Sequence, residues 1–153
     1  LAKNLYNVHY KSNFSFKKIK DNIDKILNES VVDISTEFAK KSKENIDKGL
    51  NPELKASTLN ARDLGLSSFS GHNPKPSPNN DIPLRYTDRL YNSIKGTKKG
   101  VEAVSYALEH EKGFQGTTGR VPARPFLAKS IDKKNYEKLG EAIMAKITKG
   151  MKK

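Results

Sequence analysis

The chain has no cysteine and no tryptophan, and only 2 of its 153 residues are methionine. Without cysteine, disulfides and thiolate metal sites are excluded, and nothing points to an oxidising compartment. Long hydrophobic runs are missing as well. The opening LAKNLYNVHYKSNF lacks the continuous apolar stretch of a signal peptide, and no segment approaches membrane-spanning length, so no membrane contact is expected. Apolar residues make up only 35% of the chain against 30% charged. That ratio predicts a small core with long polar faces or arms, and not an enzyme with a deep pocket.

Convergent chemistry is equally scarce. The three histidines, His9, His72 and His110, fall in an arm, a proline-rich loop and a helical turn. None has a second ligand at metal-binding spacing, and His110-Glu111-Lys112-Gly113 is not the HExxH arrangement. Glu109, His110 and Glu111 are consecutive and therefore point apart. No serine sits in a nucleophile elbow, and Thr117-Thr118-Gly119 lacks the lysine of a phosphate loop. The expectation is no enzyme, no cofactor and no metal.

What the chain does have is positive charge, +12 overall. Such an excess favours phosphate or acidic protein surfaces and keeps a free subunit soluble.

In chain order, residues 1–14 read as an N-terminal arm, and 15–153 as one domain. From Phe16 to about Lys48, Ile19, Ile23, Ile26, Leu27, Val31, Ile34, Phe38 and Ile46 recur at helical steps, with Ala39 and Ser42 keeping the stripe narrow. Ser15 is a candidate N-cap and Gly49 a stop, with a possible kink at Ser30–Val32. Eight lysines nearly balance seven acids along it, so it reads as an ion-paired helix and not a DNA-binding stripe. Residues 52–64 predict a second helix, with Ser57 as a candidate cap. Residues 65–83 predict a proline-rich loop, either a mobile surface segment or a reach toward a neighbour. Further on, Lys95–Lys99 and Val101–Ser105 predict a hairpin, Tyr106–Lys112 a helical turn and Arg120–Leu127 an extended piece. Ser130–Met151 predicts a closing helix, capped by Ser130 or Asp132. The fold class is therefore α+β: a small, mainly antiparallel sheet packed by a long N-terminal helix and a C-terminal helix.

The stretch around which these elements arrange is Ile82–Gly96. Leu84 and Tyr86 suggest an extended piece, Thr87 an N-cap with Asp88 at the positive helix end, and Leu90 and Ile94 one buried face. Arg124, fixed between Pro122 and Pro125, is the most distinctive single charge. Its reading from the residues alone is a local carboxylate partner such as Glu109.

Four blocks carry a family likeness. They are Ser57-Thr58…Arg62; Pro83-Leu84…Thr87-Asp88-Arg89-Leu90…Ser93-Ile94; Tyr106-Ala107…His110…Gly113; and Pro122-Ala123-Arg124-Pro125-Phe126-Leu127. In this order and spacing the chain resembles the tail-completion and neck proteins of tailed bacteriophages, over roughly its C-terminal two-thirds. It departs from that pattern at Asp88, where the family usually has glycine, which suggests a tighter or more helical turn. The resemblance implies a virion structural protein, assembled in the host cytoplasm. As such it would form a homo-oligomeric, hexameric ring in the neck or upper tail, contacting other connector and tail proteins and letting DNA pass. It also implies structural or interface roles for Leu84, Thr87, Leu90, Ile94, Tyr106, His110, Arg124, Phe126 and Leu127, with Arg124 and Phe126 fixing the closing helix and shaping an inter-subunit contact. Two alternatives remain: a non-specific nucleic-acid-binding protein, favoured by the charge, and a tail terminator or minor tail protein.

Overall fold

The computed structural model describes residues 15–64, 75–116, 119–130 and 132–151; the proposed N-terminal arm and part of the proline-rich loop lie outside them. The chain folds as α+β, with a long N-terminal helix, a C-terminal helix and two small antiparallel hairpins.

The first helix, α1, runs unbroken through Phe16–Asp47, 32 residues or about 48 Å, with no interruption at Ser30–Val32. Ser15 caps it, its hydroxyl accepting the Lys18 amide at 3.4 Å, and Gly49 ends it with φ +81°. The buried residues of α1 are Ser30, Ser35, Ala39, Ser42 and Ile46. Four of these five are small; Ala39, Ser42 and Ile46 belong to the sequence stripe, but its bulkier members before Ile46 are not among the buried residues. The reason is the first hairpin, β1 (Lys95–Thr97) and β2 (Gly100–Glu102), which lies directly on the helix backbone. A Cβ on Gly96 would fall 2.3 Å from the Thr36 amide nitrogen, and the Ser35 hydroxyl donates to the Thr97 carbonyl at 2.8 Å. Only small side chains permit so close an approach.

Between these elements, α2 (Ala56–Asp63) begins after the cis Asn51–Pro52 bond, and α3 (Arg89–Ser93) leads into β1. Ser57 lies inside α2 and caps nothing; the flanking Lys55 gives no side-chain cap. Beyond β2 come α4 (Ala107–Lys112) and the second hairpin, β3 (Phe114–Gly116) with β4 (Gly119–Val121). The strands form two separate sheets and not one. Pro122 and Pro125 deny the ladder its donors, so 122–125 continues as irregular chain.

The core joins Ala39, Ile46, Leu50, Leu90, Ile94, Ala107 and Phe126, and it sits at the C-terminal end of α1. The last helix, α5 (Lys133–Met151), returns along α1 in the opposite direction. Phe38 meets Tyr136 with ring centroids 5.1 Å apart, Lys146 reaches Asp33 at 3.2 Å, and Gly150 abuts Ile26. Asp132 caps α5, accepting the Lys134 amide at 3.1 Å; Ser130 instead closes a short 3-10 turn, Ala128–Ser130.

Candidate functional site

Residues of three of the four sequence blocks lie far apart in the chain and meet in or around the core, and Arg62 of the first block reaches the turns beside it. Leu90, Ile94 and Phe126 are fully within it, and Leu84, Tyr106 and Leu127 pack against it half-buried. Their polar neighbours fix the surrounding loops.

The turn before α3 is not extended. Leu84 takes φ +69° and Asp88 φ +54°, so the turn at Asp88 is left-handed rather than tighter or more helical. Asp88 has a short polar side chain, which tolerates that conformation better than most. Its carboxylate accepts from the Ser77 hydroxyl at 2.5 Å and from Arg85 Nε at 2.7 Å. The Arg85 hydrogen bond, with help from Ser77, holds the Asp88 carboxyl below the usual carboxylate range against the opposing effect of burial. Arg85 also pairs with Asp47 at the end of α1, stacks 3.9 Å over the Tyr91 ring, and is held firmly protonated by Asp88 above all. The Tyr91 hydroxyl closes the circuit, donating to Asp47 at 2.8 Å. Thr87 contributes little, accepting the Arg89 amide at 3.4 Å.

This circuit extends into the proline-rich segment. Ser77 is buried and donates its amide to the Tyr86 carbonyl at 2.7 Å, so the described part of that segment, 75–83, folds onto the domain as successive turns. Arg62 ties α2 to the same turns, donating to the Asn80 and Ile82 carbonyls and stacking over the Tyr86 ring at 5.2 Å.

Arg124 is buried, and no carboxylate pairs with it among the described residues. Its Nε donates to the Pro52 carbonyl at 3.0 Å and Nη2 to the Glu53 carbonyl at 3.5 Å, while its amide donates to the His110 carbonyl at 2.8 Å. It therefore ties the segment before α2 to the end of α4. Glu109, the partner considered from sequence, is exposed. The acid that matters is Glu111, whose carboxylate accepts the amides of Phe126, Leu127 and Ala128 at 2.8, 3.0 and 2.8 Å.

His110 lies edge-on between Tyr106 (5.8 Å) and Phe114 (5.5 Å). Its Nδ1 is buried without a hydrogen-bond partner among the described residues. Burial, and then the nearby Arg124 charge, push its pKa below the usual histidine value, outweighing Glu109.

Asp47, Ser77, Arg85 and Glu111 were not singled out by the sequence reading. Their partners stand 11 to 44 positions away in the cases of Ser77–Asp88, Glu111 with 126–128, and Asp47–Tyr91, so no local pattern announces them. Among the described residues, no group of three or more histidines and acids could hold a metal ion, and no helix is long and apolar enough to cross a membrane. Comparisons with protein-family models, curated proteins and solved structures found no match.

Proposed function

We propose that this chain is a structural subunit of a tailed-phage neck or upper tail. In that role it forms a ring with further copies of itself, hexameric by the resemblance, and joins the head connector to the tail while DNA passes through. The observation that carries the proposal is the convergence of the four motif blocks. Arg62, the Leu84–Ile94 turn, Tyr106 with His110, and Arg124 with Phe126 all serve one scaffold. Their polar groups engage carbonyls, aromatic rings and neighbouring side chains within the domain, as expected of residues that maintain a shape and not of reacting groups. The left-handed Asp88 supports the same reading, since glycine, the usual residue of the resembled pattern at that position, takes this conformation without strain. Tail termination and a minor tail role belong to the same proposal.

A second reading, non-specific nucleic-acid binding, is favoured by the charge distribution. Of the chain's 29 basic and 17 acidic residues, α1 holds seven of each, so the net +12 lies entirely outside α1. Phosphate would contact those other surfaces.

Light scattering of the purified chain, with and without duplex DNA, tests both readings. A particle of several copies supports the ring, as does a chain found in purified virions. A monomer that binds duplex DNA tightly at low salt, and is missing from virions, would replace the ring with the second reading.

A further inference from the structure

Helix α5 carries five lysines against two glutamates, whereas α1 balances seven of each sign. Its side toward α1 is marked by contacts: Tyr136 meets Phe38, Lys146 reaches Asp33, and Gly150 abuts Ile26. Tyr136, Leu139, Ile143, Ile147 and Gly150 are its half-buried positions, at steps of three, four, four and three. The opposite side carries Lys134, Lys138, Ala142, Ala145 and Lys149, all exposed, at steps of four, four, three and four. At 1.5 Å per residue these lysines are strung along about 22 Å of helix. Glu137 and Glu141, four apart, form a separate row to one side of them. Among the described residues none of Lys134, Lys138 and Lys149 makes an ion pair; the one bridge of α5 is Lys146 with Asp33. Lys138 and Ala142 also border the open groove between the two helices, where Lys41 and Lys138 share the lining with Glu37 and Asp132. Lys134 and Lys149 stand outside that groove.

Helix stability accounts for only one end of this row. Lys149 lies in the last turn, where a cation suits the helix dipole. Lys133 and Lys134 lie in the first turn, which holds no acid and where the same dipole opposes a cation. We infer that the outer face of α5 binds the phosphate backbone of duplex DNA through Lys134, Lys138 and Lys149, without reading its sequence. The argument is charge complementarity along a line. A duplex presents a charge about every 1.7 Å of its axis, so lysines in a row meet phosphates at any register. An acidic protein would have to space its carboxylates to match. Lysine is a compact charge on a flexible stem, which suits that tolerance and not bidentate recognition. Ala142 and Ala145, between the lysines, let a phosphate backbone come close and make no hydrogen bond to a base edge. The inference rests on the DNA contact that both functional readings include, and it locates that contact.

The test is the fluorescence anisotropy of a labelled mixed-sequence duplex, titrated with the full chain across a range of salt. The variant is Lys134→Gln/Lys138→Gln/Lys149→Gln, and the charge-matched control is Lys95→Gln/Lys98→Gln/Lys99→Gln in the first hairpin. All six side chains are exposed, so both triple variants should keep the wild-type melting temperature. Losing three phosphate contacts should flatten the slope of log affinity against log salt by about 3 and weaken binding roughly tenfold or more at low salt. The control should keep the wild-type slope. A second readout uses the absence of native cysteine. Bound duplex should shield Ala145→Cys from alkylation and leave Lys40→Cys, on α1, reactive. If the wild type binds duplex but the α5 variant keeps its slope, the control loses as much, or Ala145→Cys reacts freely in the complex, this face is overturned and the DNA contact stands elsewhere. If the wild type ignores duplex at low salt, the face and the DNA contact are both overturned, and binding of polyglutamate through the same lysines would name an acidic protein as the partner instead.

Discussion

The carboxylate of Glu111 gathers three successive amides where the chain passes from the extended Arg124 segment into the 3-10 turn at Ala128. Hydrogen bonds to an ionised acceptor are the stronger kind, and Phe126, whose amide is one of the three, is fully buried. Glu111→Gln would keep one acceptor oxygen and turn an amide donor toward groups that are themselves donors. The expected cost is roughly 1–3 kcal/mol in urea unfolding; an unchanged midpoint would show that the amides find water instead. His110 makes a different demand. Its folded pKa lies below the unfolded value near 6.5, so the unfolded chain takes up the proton first. Its contribution to stability is therefore complete above about pH 6.5 and is lost as the pH falls below it. His110→Phe keeps a ring between Tyr106 and Phe114 and removes the titration. Its melting temperature should vary less than that of the wild type between about pH 6.5 and 5. The lowered Asp88 acts in a separate window, losing its contribution only as the pH drops below its ordinary 3.8. Leu90→Ala, in the core, should cost roughly 2–5 kcal/mol, and a melting change within experimental error would remove Leu90 from the core. Leu90, Ile94 and Phe126 were legible in the sequence because apolar spacing and flanking prolines mark a buried side chain locally. Glu111 and Arg85 were not, because their roles depend on partners that only the folded chain brings near.

Among the elements, α1 was legible in length, cap and stop: Ser15 and Gly49 bound a helical pattern that nothing interrupts. Its buried face was legible in part: Ala39, Ser42 and Ile46 lay in the stripe, but Ser30 and Ser35 did not, because hydrophobic periodicity finds bulky residues and at Ser35 the packing partner is a backbone. The hairpin approaches so closely at Gly96 that Ser35 is buried beneath it, while Leu27 and Val31 remain partly in solvent. Gly96 is the other half of that contact. Gly96→Ala would drive a methyl into the Ser35–Thr36 peptide, 2.3 Å from the nearest atom, with backbone on both sides. Overpacking of this kind costs about 1–3 kcal/mol or more, and the hairpin should lift from the helix. Faster hydrogen exchange at the Thr97 and Gly100 amides would report it; native exchange rates would mean that the two backbones have room to separate. The first hairpin followed from its glycines and β-branched residues; the second pairs Phe114–Gly116 with Gly119–Val121, where the sequence alone predicts only an extended piece over 120–127. Their division into two sheets did not follow, since it is decided by what each hairpin packs on, and the prolines at 122 and 125 stop the second from extending.

At the scale of the whole molecule, charge sets the conditions under which the proposed functions operate. Helix α1 carries seven residues of each sign, and the rest of the chain holds the full +12. Self-association brings two positive bodies together, so added salt should strengthen it by screening their repulsion. Contact with duplex DNA depends on releasing condensed counterions, so added salt should weaken it. The two processes therefore have opposite salt slopes, and one titration separates them. Between about 50 and 200 mM salt the particle mass should hold or rise, while the affinity for duplex DNA falls steeply. A particle mass that falls along with DNA affinity would mean that subunits join through ion pairs or through nucleic acid.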